Sequence, residues 1–118
     1  MGSRLRRLLI SVAETDGTFA LQDVRGKQAW VGRCLHCRRR IVVPCDLREP
    51  ASATLEHIVP RNHGGGDDLE NLGLACASCN HQKGMRLDCR RLDDPALQEV
   101  IRNLRAERLA RMRGRERA

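Results

Sequence analysis

The stretch Leu55-Glu56-His57-Ile58-Val59-Pro60-Arg61, followed by Asn71 and then Cys76-Ala77-Ser78-Cys79-Asn80, decides how this chain is read. It puts a carboxylate beside a histidine, adds two asparagines and ends on a CxxC knuckle. A second knuckle, Cys34-Leu35-His36-Cys37, lies upstream, so the cysteines are spaced CxxC–x38–CxxC. A CxxC turn brings two thiolates to one side of a tight loop, where both reach one tetrahedral ion. Two such turns complete a four-sulfur set with no open position. That suits a structural metal, and one zinc shared by Cys34, Cys37, Cys76 and Cys79 is expected. Two unrelated pairs are the competing reading, as is a redox dithiol, which would call for a βαβ pattern the chain lacks. Cys45 and Cys89 read as buried or free thiols. His36 could replace a sulfur, but four cysteines make that unnecessary.

The bulk of the chain agrees with a stapled fold. Its 118 residues fit one domain with short extensions. Phe19 and Trp30 are the only aromatic residues, so the core is thin and a staple is expected. Leu8-Leu9-Ile10 is too short for the apolar core of a signal peptide and lacks a small-residue cleavage site. A cytoplasmic location is therefore expected, and zinc is favoured over disulfides. No apolar run reaches the length of a membrane span. The net charge is +7, and only Lys27 and Lys83 among the 22 basic residues are lysine. Arginine pairs with phosphate through a planar fork, so an acidic polymer is a fitting partner; a solvated basic surface is the plainer reading.

Three segments are expected, in an α+β fold. Residues 1–27 read as a basic N-terminal extension, where Arg4, Arg6 and Arg7 flank Leu5, Leu8, Leu9 and Ile10 as a short amphipathic helix or a frayed arm. Residues 28–92 read as the central domain. A strand stands on either side of the first knuckle, the second being Ile41-Val42-Val43 stopped by Pro44. Thr54 to Val59 is a strand, Gly64-Gly65-Gly66-Asp67-Asp68 a loop, and Leu72-Gly73-Leu74-Ala75 a second strand. A helix runs from about Ser78 to about Leu87. Residues 93–118 read as a basic amphipathic helix and tail, with Asp94 as N-cap and Pro95 at the first helical position. Leu97, Val100, Ile101 and Leu104 form its apolar face; Arg102, Arg105, Arg108 and Arg111 are placed opposite. The tail Arg113 to Arg117 is expected to be disordered.

The run Glu56-His57-Ile58-Val59-Pro60-Arg61, then Gly64-Gly65, Asn71-Leu72, Cys76-x-x-Cys79-Asn80 and Lys83-Gly84, resembles the HNH endonuclease family over about residues 30–90. The resemblance implies a small zinc-stabilised ββα-metal nuclease fold with a C-terminal helix, one divalent cation at the active site, and hydrolysis of phosphodiester bonds in DNA. It makes His57 the general base, since an imidazole takes a proton from water near neutral pH. Glu56 matches an acidic metal ligand that is more often Asp. Asn71 matches the asparagine that fixes the loop and orients the base. Asn80 matches the third signature position and would give a carbonyl oxygen to the metal. Oxygen ligands at Glu56 and Asn80 suit magnesium or manganese better than zinc. Arg61, Lys83 and His63 are candidate nucleic-acid contacts, against simple surface exposure. Glu56 and His57 are neighbours on a strand, and so face opposite ways unless the strand end bends or the site wraps it. Nothing resembles a sequence-reading helix, so duplex DNA of low sequence specificity is the expected partner. The alternatives are a zinc-stabilised module that binds nucleic acid without cutting it, and an RNA-cleaving or toxin nuclease of the same fold.

Overall fold

The structure, a computed structural model, describes residues 2–46 and 48–113. The chain opens with helix α1 (Ser3–Thr15) and strand β1 (Ala20–Val24). A two-residue turn at Arg25 and Gly26, both at positive φ, closes a hairpin onto β2 (Lys27–Arg33). Asp23 Oδ1 steadies that turn by accepting from the Gly26 amide at 2.7 Å. β3 (Arg40–Pro44) pairs antiparallel with β2, Arg33 lying opposite Arg40, so the first knuckle is the turn between two strands, as the β-branched run predicts. The second sheet is the hairpin of β4 (Ala53–His57) and β5 (Leu72–Cys76), with His57 opposite Leu72. Helix α2 (Ala77–Lys83) follows β5 directly and widens into a π turn, Gly84–Asp88. Helix α3 (Pro95–Arg111) begins on Asp94, whose Oδ1 accepts from the Ala96 amide at 2.8 Å and the Leu97 amide at 3.3 Å.

The N-terminal segment is not an appendage. Leu9, Val12 and Ala13 of α1 are buried in one cluster with Phe19, Ile41, Val43, Ala53, Leu72 and Leu74, so the helix packs across both sheets. An apolar stripe on a chain this poor in large side chains has to find a partner, and the two sheets offer one. Gly32 makes room for the packing: a Cβ there would stand 2.3 Å from the Phe19 ring. Residues 3–24 therefore belong to the fold, which corrects their expectation as an extension.

The C-terminal helix needs a second correction. Leu97, Ile101 and Leu104 pack with Leu35 and Ile58. Arg108 and Arg111 continue that stripe at the same alternating spacing of four and three, and both are buried, while Arg102 and Arg105 are exposed. Arg108 Nη2 donates to Thr15 Oγ1 at 2.7 Å and Nε to the Leu69 carbonyl at 3.2 Å. Arg111 donates to the Arg33 carbonyl at 2.8 Å and the Cys34 carbonyl at 3.2 Å, and its Nη1 lies 3.5 Å from the buried Asp16. The helix is thus bound to α1 and to the first knuckle through guanidinium groups. Of the tail expected to be disordered, Arg113 is bound, its Nε to the Glu14 carbonyl at 2.9 Å and its Nη2 to the carbonyls of Asp16 and Phe19. Residues 114–118 lie outside the described residues.

Candidate active site and metal centre

The four cysteines of the two knuckles meet. One sulfur from each of Cys34, Cys37, Cys76 and Cys79 lies within 4.8 Å of all the others, and no other group of three or more His, Cys, Asp or Glu among the described residues gathers in this way. Cys37 and Cys76 Sγ are 3.9 Å apart. Zinc–sulfur bonds of about 2.3 Å at tetrahedral angles put sulfurs about 3.8 Å apart, so the spacing fits a zinc. Backbone amides point at the sulfurs: His36 N and Cys76 N at Cys34 Sγ, at 3.4 and 3.3 Å, and Cys79 N at Cys76 Sγ, at 3.5 Å. Such contacts favour the thiolate that a metal requires. Without an ion, burial and then the hydrogen bonds with Cys76 and Cys37 hold the Cys79 thiol well above its ordinary range. A divalent cation reverses that balance. Cys45 and Cys89 are exposed free thiols away from this set.

Asn71 pins the loop that leaves β4. Its Oδ1 accepts from the Val59 amide at 2.8 Å, and its Nδ2 donates to the Val59 carbonyl at 3.1 Å and the Gly66 carbonyl at 3.0 Å. The loop can close this tightly because of its glycines. Gly64 sits at φ 88°, and a Cβ on Gly65 would lie 1.7 Å from the Val59 carbonyl oxygen.

His57 stands at the end of β4, its side chain 14% exposed. Its Nε2 is 2.8 Å from Asp67 Oδ1, on the pinned loop. Arg4 reaches the other Asp67 oxygen from α1, at 2.5 Å, and Arg61 Nη2 lies 3.6 Å from Oδ1. The hydrogen bonds of His57 and then Arg4 hold the Asp67 carboxyl below the usual range. Both arginines are largely exposed, at 67% and 68% of their side chains. His63, on the same loop, has its Nε2 3.1 Å from the Asp88 carbonyl, beside the Asn62 amide at 3.0 Å.

Glu56 faces the other way. β4 stays regularly paired through His57, so the two side chains fall on opposite faces of the strand. Glu56 is buried against α2, where His36 Nε2 bonds its Oε1 and Lys83 Nζ lies 3.7 Å from its Oε2. Its Oε2 has no hydrogen-bond partner. Lys83 also donates to Asp88 Oδ1 at 2.8 Å and to the His57 carbonyl at 3.1 Å, tying the two sides of the strand end together. Asn80, one turn earlier on the same face of α2, donates its Nδ2 to Thr54 Oγ1 at 3.1 Å and the Leu55 carbonyl at 3.0 Å. His81, the next residue, is exposed. Lys83 is 3% exposed, so it is no surface contact for a phosphate, which corrects its place among the expected nucleic-acid contacts. The reason is helical phase: a residue three positions after Asn80 must also point at β4. A groove of about 390 Å³ opens beside this cluster, lined by His36, Gln82, Lys83, Arg86 and Arg90 among others.

Sequence reasoning missed Asp67, Arg4 and the roles of His36 and Asp88. Asp67 carried a faint signal, an acid in the glycine loop between His57 and Asn71. Arg4 lies 63 positions from its partner and carried none.

The family model described as HNH endonuclease matches residues 34–86, which run from the first knuckle through β4, β5 and α2. No curated protein and no solved structure matches the chain. The matched segment holds both knuckles together with His57, Asn71 and Asn80, and over residues 34–86 this α+β chain is similar to the HNH endonuclease family.

Proposed function

We propose that the chain is an endonuclease that hydrolyses phosphodiester bonds in DNA, with His57 as general base. The observation that carries this reading is the setting of His57: an imidazole at a strand end, held by a carboxylate and flanked by the exposed guanidinium groups of Arg4 and Arg61. His57 takes a proton from water as the water oxygen bonds to phosphorus. The P–O3′ bond breaks, its electron pair leaves on the 3′ oxygen, and solvent protonates that oxygen. Arg61 and Arg4 bind phosphate oxygens, and His63 lies on the same loop to meet a neighbouring nucleotide. The exposed Arg102 and Arg105 add charge without reading sequence.

In this reading Glu56 and Asn80 would hold a catalytic magnesium or manganese. One feature of the structure fits: Glu56 Oε2 is buried with no hydrogen-bond partner. An oxygen donor set without histidine at position 80 suits a hard ion. Such an ion, when bound, neutralises charge on the phosphate.

One observation favours the second reading, a module that binds nucleic acid without cutting. His36 bonds Glu56 Oε1 and the Lys83 ammonium lies 3.7 Å from its Oε2, so that carboxylate has polar partners without an ion. The experiment is a cleavage assay on supercoiled plasmid and on single-stranded RNA, with magnesium or manganese, comparing wild type and His57→Ala. Nicking of plasmid by wild type and none by His57→Ala is expected. Wild type that retards plasmid on a gel yet leaves it intact establishes the binding module. Cleavage confined to RNA assigns the same fold to RNA.

A further inference from the structure

We infer that Asp67 is a positioning residue that fixes the tautomer of His57, so that Nδ1 is the atom that takes the proton from water. This rests on His57 being the base. Asp67 Oδ1 lies 2.8 Å from His57 Nε2. An ionised carboxylate only accepts hydrogen bonds, so Nε2 must carry the hydrogen. A neutral imidazole has one N–H, which leaves the lone pair on Nδ1. Nδ1 takes part in no hydrogen bond among the described residues, so it remains open to a water.

One contact opposes this assignment. Arg61 Nε is 3.2 Å from the same Nε2, and a guanidinium only donates, so it would need the lone pair there. The two contacts demand opposite states of one nitrogen. Asp67 prevails because its contact is shorter and a bare lone pair facing a carboxylate is repulsive. Arg61 is also drawn toward the same carboxylate, at 3.6 Å, on a largely exposed side chain.

Asp67 is held well enough to do this. Arg4 fixes its other oxygen at 2.5 Å, and the preceding carbonyl, that of Gly66, accepts from Asn71 at 3.0 Å. Asn71 therefore acts on the base at one remove, through Gly66 and Asp67. Arg4 comes from α1, outside the segment that the family model matches. The orientation of the base thus depends on a helix outside the matched segment.

The test is Asp67→Asn. The amide is nearly isosteric but presents an N–H to Nε2, which pulls the lone pair there and leaves the hydrogen on Nδ1. This wrong-tautomer effect is known from other His–Asp pairs. Long-range ¹H–¹⁵N correlation at about pH 8.5, roughly two units above the reference value for a free imidazole, reads the tautomer directly. The His57 signals are assigned by their loss in His57→Gln. Wild type should show the hydrogen on Nε2, and Asp67→Asn should show it on Nδ1. In plasmid nicking, kcat of Asp67→Asn should fall about 100- to 10,000-fold at unchanged KM. Asp67→Ala should fall less, because a water can then accept from Nε2. A merely structural role would order the two the other way, since Asn preserves shape better than Ala. Hydrogen on Nδ1 in wild type, or an Asp67→Asn enzyme within about 3-fold of wild type, overturns the assignment. If wild type cuts nothing, the nuclease reading fails and the tautomer measurement alone decides what Asp67 does.

Discussion

Asn71→Ala removes the pin of the loop beside His57. Three hydrogen bonds go with it, the two to Val59 at 2.8 and 3.1 Å and the one to the Gly66 carbonyl at 3.0 Å. Each is worth about 1 kcal/mol net. The bonds to Val59 are partly buried, so their partners are left poorly solvated, whereas the Gly66 carbonyl is exposed and water replaces its donor. The expected loss is therefore about 2–3 kcal/mol. At about 4 °C per kcal/mol for a domain of this size, Tm should fall by roughly 8–12 °C. Urea denaturation of the zinc-loaded proteins should show a lower midpoint at unchanged slope. Amide exchange at Val59 should accelerate, since its N–H loses the acceptor. Gly65→Ala should release the same loop, because its Cβ would lie 1.7 Å from the Val59 carbonyl oxygen. The double variant should cost little more than either single one, as both act on one unit. A loss under about 1 kcal/mol with the Val59 amide still protected would refute the reasoning, and Asn71 would then be no clamp.

Three further outcomes are expected. Arg111→Met should cost about 3–5 kcal/mol in urea unfolding, because it strands the buried Asp16 and strips donors from the carbonyls of Arg33 and Cys34. Adding Asp16→Asn should recover part of that loss; full additivity would argue against the pairing. Cys76→Ser, or a strong chelator, should release zinc and unfold the chain, since structural zinc contributes about 10–16 kcal/mol, as much as a whole domain's stability. A folded, metal-free Cys76→Ser protein would remove the zinc centre from the account. Asp94→Ala should lower Tm at neutral pH. Burial raises the Asp94 pKa, but the Leu97 and Ala96 amides more than offset it, and the net shift is downward. A depressed carboxyl stabilises the fold above its unfolded value and loses that contribution as pH falls through the folded one. The gap between wild type and Asp94→Ala should therefore close in acid, and thermal melts across pH 2–7 check it (a range set by the roughly 3.9 of a free carboxyl).

How much was legible in the chain depended on how far each interaction reaches. The knuckles could be read because a CxxC turn is local and its chemistry is set by spacing. Asp94-Pro95, the strands around the first knuckle and the strand and helix that meet at the second could be read for the same reason. The α3 stripe was half legible. Its period runs on through Arg108 and Arg111, but their charge made them look like a solvated face. Arginine in the core is costly unless its donors find acceptors, and those acceptors are gathered only once α1, the first knuckle and α3 are assembled, with Arg108 Nη1 alone of the Arg108 and Arg111 donors left buried and unpartnered.

The same boundary runs through the site. Sequence alone offered a candidate set: the four sulfurs, the histidine at the strand end, the loop asparagine, and two side chains of α2 three positions apart. Spacing pointed to the sulfurs and the family resemblance to the others, and neither pointed to Asp67 or Arg4. Sequence could not determine what each residue of the set faces. Glu56 and His57 are neighbours in sequence, yet strand alternation turns one to Lys83 and His36 and the other to Asp67. Lys83 reads as a surface cation but is buried at the strand end, and Arg4 joins the site from 63 positions away. Partner choice among charged groups is settled by distance and burial, and a chain has neither until it folds.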